Sequence, residues 1–232
     1  MPESTPLVSA TAFDRRGTDA EGWPAQVAEV LFDEPSPVAG ASDQDGDGSP
    51  AALHAWLAAS VGALLIEAVA RDGQDTGFQR AMQDLHLRAA EGASIDADVW
   101  RGTLEPALRE VFRRAYDVDQ AFATASAAAS SFALSRGYSE SDAAEYGRAY
   151  GEMNTEANLS AFADANAMAL ADLLARSFAA ADPVAYARTY PAAYVRAVLS
   201  ACGGAGTQER GQARARLADG LVQSMAGAAA AV

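Results

Sequence analysis

Alanine is the sequence feature that most restricts the fold, since 58 of the 232 residues are alanine. Alanine has the highest helix propensity because its side chain loses no rotamer entropy and buries no polar group in a helix. No segment alternates polar and apolar residues over the length of a strand. Helices with alanine faces must also approach closely to exclude voids. The sequence therefore predicts an all-α fold, an alanine-rich helical bundle.

The net charge of the chain restricts the classes of partner that it can bind. The chain has 17 basic residues, all arginine, against 31 acidic ones, for a formal net charge of −14. A protein that binds nucleic-acid phosphates needs a basic face, so we expect no nucleic-acid partner. The absence of lysine beside abundant alanine and arginine is typical of a GC-rich genome, which favours a bacterial source.

Three features favour a soluble cytoplasmic protein with no membrane partner. Cys202 is the single cysteine, which excludes an internal disulfide framework. The first residues lack the basic and apolar regions of a secretory signal. The most apolar segment, 55–66, is too short to cross a bilayer and is interpreted as a buried core helix.

Proline and turn signals divide the chain into three parts. Six of the nine prolines lie in residues 1–50, so we predict an irregular, mobile, acidic segment over 1–49 with one short helix over 24–32. A single all-α domain is predicted over 50–225, followed by a frayed tail over 226–232. Helices are predicted over 50–72, 77–90 and 104–136, with a further one that begins near residue 94 or 96. Another helix begins at 139, and the stretch 152–181 contains no glycine or proline to interrupt it. The last two are predicted over 183–201, with a kink at Pro191, and over 208–225.

An internal repeat of 40 residues lies in the middle of this domain. Residues 121–160 align with 161–200 without a gap, and 15 of the 40 positions are identical. Six identities are alanine, but chance would supply only about one or two of the other nine. This period suits a helical solenoid or a pseudo-symmetric bundle, and we favour the bundle, with a duplicated helical-hairpin core.

Each copy of the repeat contains a Tyr-x-Arg-x-Tyr motif. On a helix the two tyrosines share one face, and the arginine points to the other side. Packing of half-buried tyrosines in a helix seam is the simpler interpretation. The alternative is a ligand-binding pocket lined by tyrosine and arginine. The motif residues are Tyr146, Arg148 and Tyr150 in the first copy and Tyr186, Arg188 and Tyr190 in the second.

A polar stretch follows the first motif. Glu152 and Glu156 share one helix face, and Asn154 and Asn158 share another. An exposed face or a structural polar network is the simpler interpretation. In a pocket, tyrosine and carboxylate could act as acid and base while arginine held an anion and the asparagines bound the ligand. The candidate catalytic residues are then Tyr146, Tyr150, Glu152, Glu156, Tyr186 and Tyr190.

An acidic loop resembles the beginning of a calcium loop. Asp43, Asp45 and Asp47 are spaced like the first three oxygen ligands, and Gly48 stands at the turn position. His54, however, occupies the place of the bidentate glutamate. A solvated acidic linker is the simpler interpretation, and weak calcium binding is the alternative. No other cofactor is predicted.

These patterns favour a non-enzymatic binding or interaction protein. Candidate nucleophiles and bases are few, since Cys202 and the two histidines lie in no readable catalytic motif. Small-residue helix faces suit helix–helix association, so we expect a homo-oligomer, a dimer, or another protein partner, with a small-molecule ligand as a further option. The alternative is an enzyme of specialised metabolism that transforms a small molecule in the helical core.

Overall fold

A computed structural model describes residues 22–32, 48–203 and 206–230. Within these ranges 85% of the residues are helical and no strand occurs, which confirms the all-α prediction. In this described part of the chain, nine helices pack as a bundle. They are α1 Trp23–Leu31, α2 Pro50–Arg71, α3 Gly77–Ala90, α4 Ala97–Ala115, α5 Val118–Ser135, α6 Glu140–Ala179, α7 Pro183–Ala187, α8 Pro191–Gly203 and α9 Thr207–Ala230.

Local capping signals set several helix starts where the sequence predicts them. The Ser49 hydroxyl accepts a hydrogen bond from the Ala52 amide at 3.1 Å and begins α2. The Ser139 hydroxyl accepts one from the Asp142 amide at 3.2 Å and begins α6. Each bond satisfies an amide that has no partner inside its helix. The ends of α2, α3 and α5 are each followed by a glycine with positive φ.

Other predicted boundaries are wrong. The segment around Thr103 does not start a new helix, because α4 runs unbroken from Ala97 to Ala115. The predicted helix over 104–136 breaks after Ala115, and the Asp117 carboxylate caps α5 by accepting from the Gln120 amide at 2.9 Å. The predicted kink at Pro191 is a full break between α7 and α8, at which Tyr190 takes a φ of 59°.

The core combines large aromatic side chains with aliphatic ones and includes the buried alanines in the second half of α6. Trp23, Trp56, Trp100 and Tyr186 are among its largest fully buried side chains. By length and hydropathy α2 could cross a membrane, but 67% of its apolar window is buried inside the protein. In this structure α2 is therefore a core helix of the bundle.

Helices α4 and α5 run antiparallel along α6, which is 40 residues long. The Arg101 guanidinium donates to the Asp172 carboxylate at 2.8 Å near the base of α6. The Arg109 guanidinium donates to Asp164 at 2.6 Å further along. At the other half of α6, a Cβ on Gly151 would lie 3.0 Å from the Phe122 ring of α5. The contacts that α4 and α5 make with α6 therefore follow one continuous antiparallel register.

Small residues at every fourth position form the seam of α6. The buried members are Ala143, Gly147, Gly151 and Thr155 toward α5, and Ala163, Ala167, Ala171 and Ala175 toward α4. Because four residues turn a helix by about 400°, this seam drifts about 40° around α6 at each step. A single straight partner helix cannot follow such a drift. The break between α4 and α5 lets two helices contact different sides of α6.

The 40-residue repeat is spread over four helices. Its first copy is α5 with the first half of α6, and its second copy is the rest of α6 with α7 and most of α8. Helix α8 packs against α1, α4 and α9, whereas α5 packs along α6. Equivalent residues lie in different environments, since Tyr146 is 43% exposed and Tyr186 is 1% exposed.

Replacing Ala181 by glycine is expected to stabilise the protein by about 1 kcal/mol, because an L side chain is strained in the left-handed region. Ala181 has a φ of 48° just after α6, at the position where α2, α3 and α5 are followed by a glycine with positive φ. Urea denaturation followed by circular dichroism measures the change. The matched control is Ala180→Gly, at a φ of −79°, which is expected to destabilise. Equal effects of the two substitutions would show that strain at Ala181 is not the cause.

Candidate functional site

Helix α5 and the first half of α6 form a hairpin arm, defined here as residues 118–158. Every buried residue of the arm is small, namely Ala125, Ala129 and Ala133 on α5 and Ala143, Gly147, Gly151 and Thr155 on α6. No residue of the arm belongs to the hydrophobic core cluster. The arm is therefore a two-helix layer outside the core, held by close backbone approach rather than by large apolar side chains.

The first tyrosine motif lies on the surface of this arm. Tyr146 and Tyr150 are 43% and 39% exposed, and their ring centroids lie 6.4 Å apart in a stacked arrangement. The Arg148 guanidinium donates to the Glu152 carboxylate at 2.9 Å. Glu152 and Glu156 are exposed, as is Asn158, and Asn154 is half-buried. These side chains line a surface and do not enclose a pocket.

The second motif is divided between core and surface. The Tyr186 ring packs against Trp23 and Phe178, with centroids 5.9 and 5.6 Å away. Burial raises the pKa of Tyr186 strongly, and its hydroxyl has no hydrogen-bond partner among the residues that the structure describes. Arg188 and Tyr190 are exposed. Tyr186 is therefore a core residue that no solvent-borne substrate reaches.

The structure does not bring the two motifs together. Tyr146 and Phe178 lie on the same unbroken helix, and 32 helical residues span about 48 Å. Because Tyr186 contacts Phe178, the two tyrosine motifs are separated by most of the length of α6. A single pocket built from Tyr146, Tyr150, Tyr186 and Tyr190 is thus not formed. The physical reason is that α6 continues through Gly147 and Gly151, where the seam keeps it straight against α5.

The calcium candidate lies outside the described residues, since Asp43, Asp45 and Asp47 belong to the range 33–47. Among the residues that the structure describes, no three histidine, cysteine or carboxylate side chains are grouped as a metal site requires. The calcium alternative therefore remains a sequence-based prediction.

A buried histidine pair is the polar feature that sequence reasoning missed. The Nδ1 atoms of His54 on α2 and His86 on α3 lie 3.0 Å apart, within hydrogen-bond distance. Trp100 and Phe178 pack around both rings, with centroid distances of 4.9 to 5.5 Å. Burial lowers the pKa of His54 to about 4 and holds that of His86 well below its usual value. The pair is therefore neutral at physiological pH, one Nδ1–H donating to the other ring.

No local signal in the sequence pointed to this pair. The two histidines are 32 residues apart on different helices, and each looks like an isolated polar residue on an amphipathic helix. Only the packing of α2 against α3 brings them together. Because Trp100 and Phe178 enclose the two histidines, we interpret the role of the pair as structural.

One side of the arm carries exposed aromatic side chains and no net charge. On each helix, the residue immediately before a seam residue is turned about 100° back around the axis. Because the two helices run antiparallel, this rotation places the preceding residues of both helices on the same side of the hairpin. We call this side the neutral face; it consists of Gln120, Thr124, Ala128 and Phe132 on α5 and Tyr146, Tyr150, Asn154 and Asn158 on α6.

The neutral face is distinguished from the rest of the arm by its charge. The arm has six carboxylates and two arginines, so its net charge is −4. The positions of the neutral face hold none of these charges. By the same helical phase, Arg136 and Asp142 lie at the tip end of this face, and the Arg136 guanidinium lies 5.1 Å from the Phe132 ring centroid. All the net charge of the arm therefore lies on its other sides.

The arrangement can bind another surface by packing and stacking, because its aromatic rings are exposed on a helical layer outside the core. Comparisons of this chain with models of known protein families, with curated proteins and with solved structures found no match.

Proposed function

We propose that this protein is a non-enzymatic interaction protein that binds a protein partner through its hairpin arm. One observation carries the proposal: the arm lies outside the core and exposes Phe132 by 52%, Tyr146 by 43% and Tyr150 by 39% on a single face. Exposed aromatic rings that lie together on the surface of an acidic molecule are typical of an interaction site. Tyrosine in particular is enriched in protein interfaces.

The enzyme alternative has less support. Acid–base catalysis of a small molecule needs groups held around a water-excluding cavity. Glu152 and Glu156 are exposed, and the second motif is distant from them. One open depression on the described surface is lined by residues near the start of α9, and neither motif contributes to it.

Site-specific photo-cross-linking in the cells that make this protein tests the proposal. A photoreactive phenylalanine analogue at position 150 is expected to give adducts of discrete mass, because this side chain would be covered by the partner. The same analogue at Phe78, which is 57% exposed on α3, is the matched control and is expected to give none. Adducts from both positions alike, or from neither, would overturn the arm as the binding element.

A further inference from the structure

We propose that the partner bound by the hairpin arm is a second copy of this chain, docked through the neutral face. The inference rests on the proposed function and names its partner. It predicts that two arms associate face to face as a four-helix bundle, a stable arrangement for paired helical hairpins.

The distribution of charge argues for a second copy. A chain with a net charge of −14 repels its own copies over most of its surface. The neutral face is where two copies can meet without opposing carboxylates, because its eight positions are uncharged and its tip end carries one cation and one anion. A strongly basic partner would find no acidic residue at these eight positions. The acidic residues that such a partner requires lie on the other sides of the arm.

The polar side chains on the neutral face do not prevent its burial in a dimer interface. The Gln120 side-chain amide donates to the Thr124 hydroxyl at 3.2 Å, and that hydroxyl donates to the Gln120 carbonyl at 2.8 Å. Polar side chains that already bond one another lose less on desolvation than unpaired ones. Asn154 and Asn158 present amides, which can both donate and accept across a two-fold interface.

The dimensions of the face suit a dimer. About 18 residues of each helix give a length of about 27 Å, and two helices packed about 8 to 10 Å apart give a width of about 18 Å. The flat area of the face is thus about 490 Å². The relief of its side chains makes the accessible surface larger than this, toward the value of about 800 Å² per partner that stable interfaces bury. The exposed rings of Phe132, Tyr146 and Tyr150 supply its apolar part.

Sedimentation equilibrium of the purified full chain tests the inference with a pair of matched variants. The wild type is expected to sediment as two chains of 24.0 kDa. Phe132→Glu replaces an aromatic ring of the neutral face by a carboxylate and is expected to weaken dimerisation at least about tenfold, since removing a carboxylate from water is costly even when a neighbouring arginine pairs with it. Leu134→Glu adds the same charge at a side chain that is 49% exposed on the opposite side of α5, and it is expected to leave the dimer unchanged.

Both substituted side chains are exposed, so the monomer is expected to keep its helical circular dichroism. In Phe132→Glu the new carboxylate also stands four residues before Arg136, where an ion pair can form along the helix. Equal weakening by the two variants would overturn the neutral face as the interface. Sedimentation of the wild type as one chain up to about 100 μM, a concentration at which even weak specific dimers form, would overturn the second copy as partner. If the wild type sediments as one chain, a cross-link from position 150 to a different protein still supports the proposed interaction function. If no cross-link forms either, the proposed function and the dimer are both overturned.

Discussion

Replacing Gly147 by leucine is expected to lower the free energy of unfolding by about 3 kcal/mol, the upper part of the range for overpacked sites. A Cβ at this position would overlap the Ser130 hydroxyl and lie 2.7 Å from the Ser126 carbonyl oxygen. The hydroxyl can rotate away, but the carbonyl belongs to the backbone of α5. The two helices must therefore separate, and the fully buried side chains of the seam are too small to fill the gap.

Urea denaturation gives the change in stability, and hydrogen exchange locates it. Because the arm lies outside the core, protection is expected to fall in residues 118–158 and to persist in α2 and α4. Gly102→Leu is the matched control, since a Cβ on Gly102 of α4 would have no neighbour within 4 Å. That substitution is expected to stabilise the helix by up to about 1 kcal/mol. If both variants were stabilised alike, the close approach of α5 and α6 at Gly147 would be wrong.

Acidification is expected to destabilise the protein through the buried histidine pair. A histidine in the unfolded chain has a pKa near 6.5, while the pKa of His54 in the folded protein is about 4. Between these values the unfolded chain binds a proton that the folded protein excludes. Each histidine of the pair then lowers the free energy of unfolding by up to about 1.4 kcal/mol per pH unit. This contribution is fully present above pH 6.5 and is lost as the pH falls toward 4.

Urea denaturation at about pH 7 and about pH 5 measures this effect, with an expected loss of about 2 kcal/mol from His54 and a further loss from His86, whose pKa is also lowered. Surface carboxylates also titrate in acid, so a control must remove the histidines alone. The double variant His54→Phe, His86→Leu keeps apolar contacts with Trp100 and Phe178 and is expected to flatten the profile between these pH values. An equally steep profile in the double variant would assign the acid sensitivity to other groups.

The helix starts at Pro50, Gly77 and Pro183 could be predicted because they depend on residues adjacent in the chain. A serine or aspartate that caps free amides, or a proline in the first turn, acts over three or four residues. The break after Ala115 could not be predicted in this way. It accommodates the drift of the seam around α6, whose residues follow Ala115 by about 25 to 65 positions in the chain. A partner at that distance gives no local signal.

The candidate site was predicted in its residues but not in its arrangement. The Tyr146 and Tyr150 pair does share one helix face, as the four-residue spacing indicates. The equivalence of Tyr146 with Tyr186 did not extend to their surroundings, because burial depends on which helices meet. A signal was nevertheless present in α6: small residues recur at every fourth position from Ala143 to Ala175, with Leu159 as the one exception. That spacing indicates a close-packed seam and leaves the neighbouring tyrosines at its edge.

By itself the sequence determined that this chain is helical, where several of its helices begin, and that its surface is acidic, because propensity, capping and charge are properties of residues and their near neighbours. Tertiary structure alone decided that His54 meets His86, that Tyr186 enters the core, and that residues 118–158 remain outside it. Those outcomes depend on which apolar helix faces, distant in sequence, pack against one another. Long-range packing selects among faces that short-range patterns leave equivalent.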